Sequence, residues 1–61
     1  MVQAVALLSV AEVARRLGVS TASVYGLCRR NELPHVRILG ALRVAPADLD
    51  SFILRRRQGR S

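Results

Sequence analysis

The sequence has 61 residues, ten arginines, no lysine, four acidic residues and a formal net charge of +6. A chain this short buries only about 60% of its unfolded surface, so it forms one small domain, and an enzyme is disfavoured. A single cysteine (Cys28) and a single histidine (His35) exclude an internal disulfide and a four-ligand zinc site. We therefore expect no metal, no cofactor and no catalytic residue.

The arginines indicate the class of partner. Guanidinium binds phosphates and the edge of guanine through paired hydrogen bonds, so nucleic acid is favoured modestly over a merely soluble basic surface. Since 51% of the residues are hydrophobic, the chain is not a disordered basic tail. The longest apolar run, residues 4–8, is too short for a membrane span. These features, with the lone cysteine, predict a cytoplasmic protein.

The first helix is predicted over residues 10–17, where apolar residues recur at i, i+3, i+4 and i+7. These residues are Val10, Val13, Ala14 and Leu17. Ser9 and Glu12 have the spacing of a capping box, and Gly18 suits a left-handed helix end.

The second and third helices are predicted over residues 21–30 and 46–56. The second carries apolar residues at Val24, Leu27 and Cys28, and the third at Leu49, Phe52 and Ile53. Ser20 is a favourable N-cap for the second helix, and Asn31 suits a left-handed exit. Pro46 fits the first turn of the third helix.

A hairpin is predicted between these helices, because apolar residues alternate with arginine in 36–38 and 42–44. A two-residue turn at Gly40 and Ala41 would pair Ile38 with Arg43. A three-residue loop over 39–41 instead pairs Ile38 with Leu42 and puts Arg37 and Arg43 on one outer face. We favour the three-residue loop, because a register slip of one residue exchanges the two faces.

Two helices joined by a three-residue turn that contains glycine have the form of a helix-turn-helix. A small residue at Ala14 allows the second helix to cross closely, Gly18 permits the turn, and Val24 fills the angle between the helices. An ordinary αα-corner is the alternative.

The sequence resembles the excisionase-type, MerR-like helix-turn-helix family over residues 7–54. The resemblance is carried by residues 7–14 (LLSVAEVA), 17–20 (LGVS), 23–25 (SVY), 29–34 (RRNELP) and 44–49 (VAPADL). It implies a mainly α winged helix-turn-helix with three helices and a two-stranded wing. Outside the resemblance, we expect an apolar extension (1–6) and a basic tail (55–61). In that family the second helix enters the major groove, and the wing lies along the backbone or minor groove. The sequence differs from the family at Gly26, at Asn31 and in its apolar wing loop.

Candidate DNA contacts follow from the exposed positions of these elements. They are Thr21, Ser23, Tyr25, Gly26, Arg29 and Arg30 on the recognition helix, Arg37 and Arg43 on the wing, and Arg55, Arg56 and Arg57 in the tail.

Several of these candidates have an alternative role. Tyr25 is alternatively part of the core, and Gly26 is alternatively a simple helix defect. Arg29 is alternatively a phosphate contact, and the wing arginines are alternatively a solvated face of the hairpin. The tail arginines equally suit compensation of a helix dipole. Cys28 is expected to be buried, and His35 to face solvent or phosphate.

The sequence thus predicts a double-stranded DNA-binding protein, resembling excisionases that steer a recombinase towards excision. An integrase and side-by-side copies on DNA are the expected partners. A small transcriptional regulator is the first alternative, and a protein-interaction adaptor without DNA affinity is the second. Membrane binding through the third helix is disfavoured, because its apolar stripe is needed for the core.

Overall fold

Helix α1 (Val10–Leu17) begins and ends at the predicted residues. The capping box forms, because the Glu12 backbone N donates to Ser9 Oγ at 3.1 Å and the Ser9 backbone N donates to Glu12 Oε1 at 3.3 Å. Gly18 ends the helix in the left-handed region, at φ 72°. These observations come from a computed structural model that describes residues 6–58.

Helix α2 (Thr21–Arg29) begins at its predicted cap, where Ser20 Oγ accepts from the backbone N of Ser23 at 3.2 Å. It ends one residue before the predicted end, and Asn31 takes the expected left-handed conformation at φ 59°.

Helix α3 (Pro46–Gln58) continues past residue 56, the predicted end, to Gln58. The helix therefore includes Arg57 as well as Arg55 and Arg56, so the start of the predicted basic tail (55–61) belongs to α3. Their positive charges in the last turn of α3 offset the negative end of the helix dipole. The rest of that tail, 59–61, and all of the apolar extension except Ala6 lie outside the described residues.

Three short strands form one antiparallel sheet in the order β1 (Leu8–Ser9), β3 (Ala41–Val44), β2 (Val36–Ile38). The predicted two-stranded hairpin between α2 and α3 is present as β2 and β3. The sequence did not predict β1, which adds a third strand by pairing with β3 through Leu8 and Val44. A strand of two residues has no periodicity to reveal it.

The predicted hairpin register was wrong by one residue. Ile38 pairs with Ala41, so the loop has two residues, Leu39 and Gly40, with φ values of 49° and 82°. Two positive φ angles are typical of the type I′ turn, whose twist matches that of the strands. The prediction assumed that Val36 shares a buried face with Val44. Val36 is 48% exposed, so its burial does not fix this register.

The arginine placement in the hairpin changes with the register. Arg37 lies opposite Leu42 and Arg43 lies opposite Val36, so the two arginines are on opposite faces of the hairpin. The prediction that they share one outer face is therefore wrong. Residues paired directly across antiparallel strands point to the same face. A register shift of one residue therefore decides whether the two arginines share a face.

One core joins all three helices to strands β1 and β3. It consists of Leu8, Val10, Val13, Ala14, Val24, Cys28, Leu33, Val44, Leu49 and Phe52. The predicted apolar stripes are confirmed, and Val13 and Val24 are fully buried between α1 and α2. Leu33 is also fully buried, although it lies in the turn after α2 where no periodic pattern indicates a core residue.

Candidate nucleic-acid interface

A groove of about 500 Å³ lies between helix α2, the β2–β3 hairpin and the start of α1. We call it the α2–hairpin groove. Its lining residues are Ser9, Val10, Ala11, Tyr25, Cys28, Arg29, His35, Arg37, Gly40, Ala41, Leu42 and Arg43. The packing of the hairpin beside α2 thus combines residues that are up to 34 positions apart in the sequence (Ser9 to Arg43).

The charge of this groove is positive. Arg29 comes from α2, and Arg37 and Arg43 come from the hairpin, while none of the lining residues is acidic. Although Arg37 and Arg43 belong to opposite faces of the hairpin, both line the groove. Arg43 is half-buried, and its Nη1 donates to the Leu42 carbonyl oxygen at 3.1 Å. Three guanidinium groups around one concave surface are suited to a polyanion.

Two residues of α2 present polar side chains along this groove. Tyr25 is 45% exposed, so it is a surface residue and not part of the core. Arg29 lies one turn later on the same side of the helix. Thr21, an exposed residue one turn before Tyr25, continues this stripe towards the start of α2 by helical spacing.

His35 lies at the base of the hairpin and also lines the groove. Its Nδ1 donates to the Leu33 carbonyl oxygen at 2.9 Å, because a carbonyl can only accept. This bond orients the ring and leaves Nε2 as the nitrogen that can meet a ligand. His35 is half-buried, and the expectation that it faces solvent or phosphate stays a prediction.

Arg30 lies on a different side of the molecule, in a second groove between α2 and α3. Its Nε donates to Glu32 Oε2 at 3.0 Å, and Arg56 Nη2 donates to Glu32 Oε1 at 2.7 Å. Arg56 also lies over the Phe52 ring, 4.7 Å from its centre. The hydrogen bond from Arg30 is the main reason why the pKa of Glu32 is lowered, and Arg56 lowers it further. Arg30 and Arg56 are therefore paired within the protein.

Ser23 and Gly26 line this second groove as well. A Cβ atom added at Gly26 would meet Arg30 Nη1 at 3.2 Å, so the space beside this glycine is occupied by the chain's own arginine. Ser23 Oγ lies 3.1 Å from Ser20 Oγ and so contributes to the local structure at the start of α2. The six recognition-helix candidates thus divide between two surfaces.

Cys28 is buried as expected, at the inner side of the α2–hairpin groove. Burial raises the pKa of its thiol, which disfavours the reactive thiolate.

Sequence reasoning missed the contribution of α1 to the α2–hairpin groove. Ser9, Val10 and Ala11 line it because β1 pairs with β3 and so places the start of α1 beside the hairpin. The capping box at Ser9 was the available signal, but it indicates only a helix start. Arg55 and Arg57 are exposed on α3, and neither lines either groove.

Within residues 6–58, no cluster of three or more histidine, cysteine or acidic side chains could hold a metal ion. No helix in this range is long and apolar enough to cross a membrane.

Comparison with known protein families agrees with this geometry. The family described as "Helix-turn-helix domain" matches residues 7–57, which is most of the chain. Searches of curated proteins and of solved structures found no significant match. Helix-turn-helix domains bind DNA by placing their second helix in the major groove, and α1 and α2 are joined here by the required short turn at Gly18. The chain therefore belongs to the helix-turn-helix domain family.

Proposed function

We propose that this protein binds double-stranded DNA through the α2–hairpin groove, with α2 in the major groove and the hairpin as a wing on the flanking backbone. The observation that carries the proposal is the convergence of Arg29 with Arg37 and Arg43 on one acid-free concave surface. Helix and hairpin together present these cations to adjacent stretches of a duplex, as phosphate contacts require.

Within this interface the residues have different tasks. Thr21, Tyr25 and Arg29 form the stripe of α2 that reaches base edges, and Arg29 is the candidate guanine reader. Arg37 and Arg43 contact phosphates. Arg30, Ser23 and Gly26 lie towards α3, so we assign them a secondary role, in which Arg30 reaches phosphate only after it leaves Glu32.

The target sequence is the first thing to measure. Selection from a pool of random duplexes, followed by sequencing, should enrich a short motif, since one recognition helix reads only a few base pairs. Repeats of the motif at a fixed spacing would indicate copies bound side by side. Enrichment of no motif, together with salt-insensitive binding, would favour the protein-interaction adaptor.

Arg29 can then be tested for base reading. Arg29→Ala should weaken binding to the selected site by roughly 1–3 kcal/mol and relax the preference at one base pair. Arg37→Ala is the matched control, because loss of a phosphate contact weakens binding to all sequences about equally. A uniform loss for Arg29→Ala would reassign it to the backbone.

For the biological role we propose an excisionase-like architectural factor, which bends or stiffens DNA and steers a recombinase towards excision. Support comes from the family resemblance over residues 7–54. The alternative is a small transcriptional regulator. An in vitro recombination assay with the integrase of the same mobile element separates them, because only an excisionase stimulates excision.

A further inference from the structure

The tip of the hairpin carries a leucine in an unusual position. Leu39 is fully exposed, at 101% of its reference area, and its φ of 49° lies in the left-handed region. Glycine, asparagine or aspartate is the usual residue at this place in a two-residue hairpin turn. A leucine there is not buried, so it contributes nothing to the core. It also adopts the left-handed conformation less readily than glycine does.

The surroundings of Leu39 indicate what kind of molecule it meets. Gly40, the next residue, lines the α2–hairpin groove together with Arg37 and Arg43. An apolar tip is thus continuous with a surface that carries two arginines of the hairpin. A polyanion complements the arginines, whereas an apolar protein surface would leave their charge without a partner.

We propose that Leu39 inserts between neighbouring base pairs from the minor groove and partly unstacks them, so that the duplex kinks. Apolar side chains at such positions act as wedges, and the lost stacking is offset by the larger contact with bent DNA. Pyrimidine–purine steps are the preferred site, because they unstack most easily. This inference rests on the proposed DNA binding through the same groove.

The test uses two short duplexes of equal length and composition, one with a central TpA step and one with a stiff A-tract. Each carries the fluorescent base 2-aminopurine, which brightens when it is unstacked. Leu39→Asn removes the apolar side chain but suits the left-handed turn, so thermal melting should show a fold at least as stable as the wild type. Leu54→Asn is the matched control, because Leu54 is an exposed leucine on α3, away from the hairpin.

We expect the wild type to increase 2-aminopurine fluorescence on the TpA duplex, and Leu39→Asn to lose this increase. The variant should bind the TpA duplex about 10-fold more weakly and the A-tract duplex unchanged, since only the flexible step accepts the wedge. Leu39→Met should retain both the fluorescence and the affinity, and Leu54→Asn should match the wild type.

Three results would overturn the inference, each in a distinguishable way. Equal fluorescence and equal affinity for wild type and Leu39→Asn would exclude the wedge and leave DNA binding intact. Failure of the wild type to bind either duplex at low salt would overturn the proposed function itself. A change in self-association of Leu39→Asn without DNA, measured by sedimentation and with unchanged 2-aminopurine fluorescence, would make the tip a protein contact.

Discussion

The salt dependence of DNA binding is the sharpest measure of the proposed interface. Each phosphate neutralised by a cation contributes about −0.9 to the slope of log K against log salt concentration. Arg29, Arg37 and Arg43 line the groove, so together they contribute about −2.7. Between about 50 and 200 mM salt, this part alone lowers the affinity about 40-fold.

Replacing one groove arginine with glutamine should reduce the magnitude of the slope by about 0.9. The groove contribution then falls to about −1.8, which corresponds to about a 12-fold loss over the same range. Fluorescence anisotropy of a labelled duplex, titrated at several salt concentrations, measures each slope. Arg16→Gln is the matched control, because Arg16 is exposed on α1 and does not line the groove. Unchanged slopes for all three groove variants, or an equal reduction for Arg16→Gln, would refute the assignment of the interface.

Four further predictions concern stability. Glu32 is paired with arginines, and these lower its pKa. Its contribution to folding stability is therefore present above the ordinary pKa of a glutamate and is lost as the pH falls through the lowered pKa. Glu32→Gln should therefore lose less stability than the wild type below about pH 4 in thermal melts, and an equal loss would refute the pairing. Gly26→Ala should raise the free energy of unfolding in urea by up to about 1 kcal/mol, because the added Cβ meets only the end of a flexible side chain. Gly18→Ala should lower the free energy of unfolding by about 1 kcal/mol, because alanine is disfavoured at a φ of 72° and the added Cβ would have no atom within 4 Å to contact. A gain in stability would contradict this backbone argument. Leu33→Ala should cost about 2–5 kcal/mol in the same assay, and a loss below about 1 kcal/mol would mean that the turn after α2 does not anchor the core.

Helix boundaries could be predicted because the interactions that set them join residues close in the sequence. Ser9 and Glu12 cap α1 across three positions, and Gly18 ends it through its own backbone conformation. The apolar stripes of the helices could be predicted for the same reason, because a helix repeats every 3.6 residues whatever surrounds it. The end of α3 was less predictable, because nothing in its arginine-rich last turn stops a helix.

The sheet could not be predicted to the same depth. The existence of β1 depends on its pairing with β3, which lies far from it in the chain. Val36 and Ile38 are apolar but exposed, so the usual rule that alternating apolar residues face the core misled the choice of register. The turn at Leu39 and Gly40 decided it instead.

The sequence by itself determined that the chain is a small arginine-rich helix-turn-helix with a hairpin, because spacing, caps and composition are local properties. Only the tertiary structure decided which arginines belong to one surface. Arg29 and Arg30 are adjacent, yet the rotation of about 100° per residue in a helix sends one to the hairpin and the other to Glu32 and α3. The packing of the hairpin and of α3 on opposite sides of α2 gives these two neighbours different tasks.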